Sequence, residues 1–567
     1  MHMQLGKFFN RNWVVLSIVM IVVGAGISSW AAVYNPQVGH NPLTNINYAD
    51  NGQGFISTSR DSRLFNATSS DLQQAIWHLN GTDGTITIPN GTITVTDTLT
   101  MDDGVTIQGM SGFDTRIIHS VADGPLFDIT DDTYSQTMGG LKKFSIYSSD
   151  TQQNVINVTS GDYFTIENIF FRNNNNTCIY LDGTQGVTIR DCFFYRNTLA
   201  GNDADMIQLD SELVFCTGTV IDHCQFGRNS ARHAVNVTDA SGTIIQNNWF
   251  EGGAYGNFNV TRLCGGRNTQ ILNNRVAGTG TNRHVWILDR SGAWGDDKIT
   301  QYVNIMGNTV SGVTGTGELL THTDEEDVQQ LVFTNNIVDG NITFTGGSCV
   351  LQDSVICDNV FLYGHIDIRG TFRVVIEGNR ITPNSYYGIN IAAPSATTIT
   401  GNSIHNGVVG VRLVTGSTLG NNVVGNFMYD CSSYGVFYDG DSDEKIIISD
   451  NIIDGDDTGS SEGVFLSTDA WNAVVTGNVI TDFTKGVFLH SSTENCTVSD
   501  NNVIDCTTGV DNDGSNNLVV LNTGFLNVIP TENITQDVQP GFAWYDTTNH
   551  KLMVYEGSGV WKSSTFA

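Results

Sequence analysis

A short phrase repeated from the middle of the chain to near its end constrains the fold more than any other feature. It runs apolar residue, one or two spacers, Asn, a spacer, apolar residue. Ile166-x-Asn168-x-Phe170 and Leu272-x-Asn274-x-Val276 show the tight form, and Ile376-x-x-Asn379-x-Ile381 and Val475-x-x-Asn478-x-Ile480 the looser one. Asn248, Asn308, Asn336, Asn359, Asn402, Asn422, Asn451 and Asn502 fill the same slot, with Asp191 and Cys224 as substitutes. Fourteen instances between 168 and 502 recur about every 26 residues, the period of a solenoid. β-Branched residues and Gly, Asn or Asp turns flank each phrase, with no helical periodicity between them. One such unit cannot bury its own apolar face, but a stack of copies can. The expectation is all-β: a single-stranded parallel β-helix of some 16 to 17 coils. Asn sits at its turn because it tolerates the left-handed conformation and its amide reaches the next coil. Ile166, Phe170, Ile189, Phe193, Ile245, Phe250, Ile305 and Ile376 are expected inside.

The chain has 567 residues, of which 61 are Gly and 8 Pro, and only 15% are charged. A net charge of −32 argues against general nucleic-acid binding. Residues 13–33 carry no charge and follow Lys7 and Arg11, as in a transmembrane signal anchor that leaves residues 1–12 inside and sends the remainder out. Ser29-Trp30-Ala31 would alternatively serve as a signal-peptide cleavage site. Either reading places the bulk outside the cytosol, at the cell surface. Residues 34–70 read as a stalk, 71–528 as the β-helix and 529–567 as a small C-terminal β module. Ten cysteines in an exported chain permit disulfides, with Cys216/Cys224, Cys349/Cys357 and Cys496/Cys506 the close pairs. The alternative is that several are small apolar residues of the interior.

Residues 71–79, Asp-Leu-Gln-Gln-Ala-Ile-Trp-His-Leu, form a short amphipathic helix capped by Ser70 or Asp71, with Leu72, Ala75, Ile76 and Leu79 buried. Strands bounded by Gly84, Gly91, Gly104 and Gly109 follow. This order resembles the opening of pectate-lyase-superfamily proteins and phage tailspikes. The resemblance implies a right-handed β-helix whose first edge is plugged by the helix. It covers roughly residues 50–525 and is specific for fold rather than chemistry. The Gly463-Val-Phe-Leu and Gly486-Val-Phe-Leu coils look like those of periplasmic β-helix proteins. Polygalacturonases carry Asn-Thr-Asp, then Gly-Asp-Asp, then Gly-His-Gly on successive coils. Asn202-Asp203-Ala204-Asp205 is similar to the first, but Gly227-Arg228-Asn229-Ser230 and Gly253-Ala254-Tyr255-Gly256 lack the others, so those roles are not transferred. Residues 541–561 alternate around an Asn549 turn as two or three antiparallel strands. They resemble terminal segments of phage fibres, a candidate homo-oligomer contact.

Between residues 228 and 290 lie seven arginines and three acids, a net +4 within an acidic chain. That reversal suits an acidic polysaccharide. Counting from the repeat Asn, His233 and Arg283 fall in register, and alternation turns Asn236, Asn259, His284 and Trp286 outward. Trp286 would be a platform for a sugar ring, and Arg228, Arg232 and Arg290 further contacts. For a lyase, Arg262 or Arg283 would neutralise a uronate carboxylate while His284 or His233 removes the α-proton. For a hydrolase, Asp289 with Glu251 or Asp296 would form the acid/base pair. Calcium is a further candidate at Asp439-x-Asp441-x-Asp443. The rival reading is a non-catalytic adhesin, fibre or cell-envelope protein.

Overall fold

The computed structural model describes residues 55–59, 64–79, 84–101, 104–130, 139–148, 153–197, 204–211, 216–252, 257–278, 283–289, 300–313, 318–322, 327–344, 350–383, 386–414, 420–440, 445–456, 461–523, 543–546, 551–557 and 560–565. From Gly84 to Val520 the chain winds as a parallel β-solenoid of about 15 turns. Each turn gives one strand to each of three sheets. The first sheet runs from Gly84–Ile88 to Leu518–Val520, the second from Gly91–Val95 to Asn502–Ile504, and the third from Leu99–Met101 to Thr508–Asn512. Every interior side chain sits above its equivalent in the previous turn. In the second sheet, Phe171, Phe194, Phe226 and Phe250 stack face to face with centroids 4.7–4.8 Å apart.

The corner between the first and second sheets explains the repeat. It uses two adjacent residues for the two tasks the sequence reading gave to one. The first residue takes the left-handed conformation, as Asn247 (φ 56°), Asn273 (φ 54°), Asp358 (φ 56°) and Gly401 (φ 63°) do. The second is the buried ladder Asn. Asn402 donates its backbone N–H and its Nδ2 to Asn426 Oδ1, both at 3.0 Å, and Nδ2 also reaches Ile376 O at 2.8 Å. The same pattern joins Asn248, Asn274, Asn308, Asn336, Asn359 and Asn379 below it and Asn451, Asn478 and Asn501 above. Each buried amide is thereby satisfied by the next turn, which removes the desolvation penalty of an unpaired group.

Four repeat assignments are therefore corrected. Asn168 (φ 56°) and Asp191 (φ 54°) hold the left-handed position, one residue before the ladder slot. Asn426 and Asn501, rather than Asn422 and Asn502, belong to the ladder. A slip of one residue exchanges the two faces of a strand. Accordingly Phe171 and Phe194 fill the interior, and the expected Phe170 and Phe193 lie on the outside, stacked at 5.1 Å.

The helix Ser69–Leu79 buries Leu72, Ala75, Ile76 and Leu79 as expected. Thr68 caps it, accepting the Asp71 N–H at 3.2 Å, in place of Ser70 or Asp71. Gln73 donates to Thr100 O (3.1 Å) and accepts from Thr100 N–H (2.9 Å), so the helix covers the open edge of the third sheet. At the first sheet, Phe55–Thr58 pairs antiparallel with Gly84–Ile88. The transmembrane stretch expected at 13–33 lies outside the described residues. Among the described residues no helix is long and apolar enough to cross a membrane. Strands Ala543–Asp546, Lys551–Gly557 and Val560–Thr565 form an antiparallel sheet.

Nine cysteines of the described residues stand outside any disulfide, all but Cys357 buried. The expected Cys216/Cys224 and Cys496/Cys506 bridges are absent, because alternate slots of the stack hold these side chains as small apolar groups. Burial pushes the Cys506 thiol up to about 11 and Cys431 up to about 12. Cys349 lies outside the described residues.

Candidate functional site

The third sheet carries a polar column where its strands enter. The pairings Ile207↔Val235, Val235↔Thr261, Thr261↔Trp286 and Trp286↔Leu320 place Asp205, His233, Asn259, His284 and Glu318 at one position in five successive turns. Side chains join neighbouring turns along it. Asp205 Oδ1 accepts the backbone N–H of His233 (3.1 Å), Asn259 Oδ1 that of His284 (2.9 Å), and His284 Nδ1 that of Glu318 (3.1 Å).

Asp205 is the anchor. It is fully buried, and its carboxylate receives the Arg232 fork (3.1 and 2.5 Å), His233 Nδ1 (2.8 Å) and Asn236 Nδ2 (2.8 Å). Burial alone would raise its pKa, but the bonds from His233 and Arg232, and the Arg232 charge, hold it below the ordinary value. Burial outweighs Asp205 at His233 and lowers its pKa. His233 is thus a neutral imidazole whose Nδ1–H points at Asp205. Its Nε2 lone pair has no hydrogen-bond partner among the described residues. A carboxylate fixing the tautomer of a neutral imidazole is the arrangement that makes a base.

His284 is wired the other way. Its Nδ1 is occupied by the Glu318 N–H, so Nε2 carries the proton and the ring is a hydrogen-bond donor. Burial keeps it neutral, ahead of the opposing effect of Asp289. The two histidines therefore differ: His233 presents an Nε2 lone pair and His284 an Nε2–H. Glu318 is pushed up by burial, even though Thr343 donates to it at 2.8 Å.

Beside this column, Asn236 pairs in register with Arg262, and Arg262 Nε meets Asp289 at 2.8 Å. Arg232 and Arg262 are each matched by a carboxylate, so the net charge counted along the sequence overstates the charge of this face. Arg283 and Asp289 are close enough to His284 to influence its ionisation.

Other expectations are corrected. Trp286 faces the interior, 1% exposed and edge-on to Phe333, while Ile287 takes the outward slot. The cause is the connection at 278–283, whose length breaks any count from the repeat Asn. Glu251 stands on the second sheet, so it does not pair with Asp289 across one groove. Arg228 and Arg275 also belong to the second face, over Tyr195 and Trp249. Arg290, Asp296, Asp441 and Asp443 lie outside the described residues. Asp439 accepts from Thr468 Oγ1 at 3.2 Å. Asp205 stands out in the sequence only as the end of the motif at 202–205, to which no role is transferred, and Glu318 is not singled out. The available signal was an acid 27 and 28 residues before Arg232 and His233, one turn of the solenoid.

A family model described as periplasmic copper-binding protein (NosD) matches residues 352–559, and one described as right handed beta helix region matches residues 140–276. No curated protein matches the chain. Among solved structures, ORF18 of Geobacillus virus E2 is 12% identical with TM-score 0.35, over 55% of this chain and 57% of that one. The catalytic unit of a GH87 α-1,3-glucanase from Streptomyces thermodiastaticus is 14% identical with TM-score 0.37, over 68% and 65%. The tailspike gp61 of Pseudomonas phage phi297 is 14% identical with TM-score 0.43, over 68% and 73%. The chain spans less than two thirds of the length of the first two. The NosD description names copper. Among the described residues, no three His, Cys, Asp or Glu side chains gather in a way that would hold a metal ion. With its stacked ladder, three parallel sheets and the match over 140–276, the chain is a right-handed parallel β-helix protein.

Proposed function

We propose that this protein acts outside the cytosol on an acidic polysaccharide lying along the third sheet, and that it cleaves this polymer by β-elimination. The Asp205–His233 pair carries this reading. It supplies a base with a fixed tautomer, set between two arginines that suit a uronate carboxylate. Arg262, held by Asp289, binds that carboxylate and withdraws charge as the adjacent carbon loses its proton to His233 Nε2. The C–O bond to the leaving sugar breaks and a C=C bond forms in the ring. The departing oxygen takes its proton from water, while His284, two turns away and ~10 Å along the column, offers its Nε2–H to a neighbouring sugar of the polymer.

The experiment is incubation with polygalacturonate and alginate while following ultraviolet absorbance of the unsaturated product. His233→Ala is expected to lower the rate by ~10²–10⁴-fold. Because burial holds His233 below 6.5, the wild-type rate should stay level through neutral pH and fall only in acid. The charge matching of Arg232 by Asp205 and of Arg262 by Asp289 favours a second reading, a binder that does no chemistry. Retained polyuronate binding with no product from either polymer would select it.

A further inference from the structure

On the second face, five arginines lie on three outward aromatic side chains. Arg116 and Arg172 lie over Tyr147, at 5.8 and 5.9 Å from the ring centroid. Arg196 and Arg228 lie over Tyr195, at 5.3 and 5.8 Å, and Arg275 over Trp249, at 5.4 Å. Tyr147 and Tyr195 are two turns apart, through Arg172, and Tyr195 and Glu251 are also two turns apart, through Gly227. Trp249 shares its strand with Glu251, so the three rings recur every ~10 Å along the face, and Arg172, Arg196 and Arg228 fall in three consecutive turns.

The two tyrosine rings already have side chains on their faces. Phe170 and Phe193 stack on each other at 5.1 Å, and Phe193 stacks on Tyr195 at 5.7 Å. Their faces are used in these stacks and in holding guanidinium groups. The arrangement therefore fixes cations in place and is poorly suited to stacking a neutral sugar.

Arg196 and Arg228 add an independent observation. They occupy the same corner in adjacent turns, linked by the Arg196 N–H to Gly227 O bond, and both have φ of 55°. Asn173 fills that corner one turn earlier with φ 56°. A left-handed backbone favours Asn or Gly, so two stacked arginines there oppose both backbone preference and like-charge repulsion. Among the described residues, Arg172, Arg196 and Arg275 have no carboxylate at salt-bridge distance. Among the described strands from Arg116 to Arg275, Glu251 is the acidic side chain on this outward face.

We infer that this face is a second binding surface, for a linear polyanionic glycan whose carboxylate or sulfate groups meet the rows of arginines held along it. It is separate from the third-sheet column and stands even if that column does no chemistry. The test uses the full chain carrying His233→Ala, which prevents cleavage. Binding to polygalacturonate, heparin and neutral dextran is measured by calorimetry at low and moderate salt. Arg196→Asn with Arg228→Asn removes two cations and places a residue suited to the left-handed corner. The expected result is at least tenfold weaker binding to one of the polyanions, a shallower salt dependence and an unchanged or higher Tm. Unchanged affinity in the double variant would overturn the proposal, as would binding of dextran equal to that of the polyanions, or no binding of either polyanion.

Discussion

Two stretches of the third sheet share a corner and an interior but differ at one column. Between 205 and 320 its occupants are Asp205, His233, Asn259, His284 and Glu318. Between 387 and 485 they are Tyr387, Val409, Tyr434, Glu462 and Lys485. The following residue differs as well. It is Met206, Ala234, Val260, Val285 or Leu319 in the first stretch, and Gly388, Gly410, Gly435, Gly463 or Gly486 in the second. The glycine stretch is regular, and Phe437, Phe465 and Phe488 extend along its outside, with Phe465 and Phe488 stacked at 5.1 Å. The polar stretch replaces that regularity with buried ionisable groups which only neighbouring turns can satisfy. The comparison shows that a turn is held by its interior and its Asn corner, which leaves the outward column to vary with function.

The largest effect is expected from pressing on the regular stretch. A Cβ at Gly435 would stand 2.0 Å from Ile453 Cγ2 and 2.6 Å from Gly463 O. Gly435→Ala should therefore lower stability by about 3 kcal/mol in urea unfolding. Position 234, its counterpart in the polar stretch, already carries Ala, fully buried. An unchanged midpoint in Gly435→Ala would mean that the two stretches pack alike after all.

Asp205→Asn should cost somewhat less, about 2 kcal/mol, because Arg232 is partly exposed and keeps part of its hydration. The sign with pH is set by the depressed carboxyl. The folded-state pKa lies below the ordinary 3.8, so the stabilisation is complete above that value and disappears as pH falls through the folded value. The gap between wild type and variant should then be wide at neutral pH and close in strong acid. A gap that is constant with pH would mean that the carboxylate charge contributes nothing.

The smallest effect is expected from the outer aromatic row. Phe465→Ala should cost about 1 kcal/mol and leave the rate of product formation at its wild-type level. A loss as large as that of Gly435→Ala would show that the outside of the regular stretch bears as much of the fold as its inside.

The solenoid was legible because its period is long, repeated and anchored by a residue type with few other uses at that spacing. The capping helix was equally legible, since its four buried residues follow helical periodicity within one short segment. Failures came where a connection changes length, as before Trp286, or where the left-handed residue was taken for the ladder residue, as at Asn168. Trp286 and Phe170 were each assigned to the wrong face by a single-residue slip, because alternation transmits any counting error to every later side chain. The basic window was a true feature of composition that the fold divides, with Arg232, Arg262 and Arg283 on one face and Arg228 and Arg275 on another.

The sequence by itself determined the repeating architecture: the period, the stacked apolar positions and the Asn corner follow from local preferences that each copy restates. Only the tertiary structure decided which polar residues meet. Asp205 finds His233 because one full turn brings residues 28 apart into hydrogen-bond contact, and that distance depends on the length of every loop between them. His233 and His284 look alike as letters, yet a carboxylate below one and a backbone N–H above the other give their free Nε2 atoms opposite roles, a lone pair in His233 and an N–H in His284. Stacking fixes which atoms face each other, and that in turn fixes which ring can accept a proton.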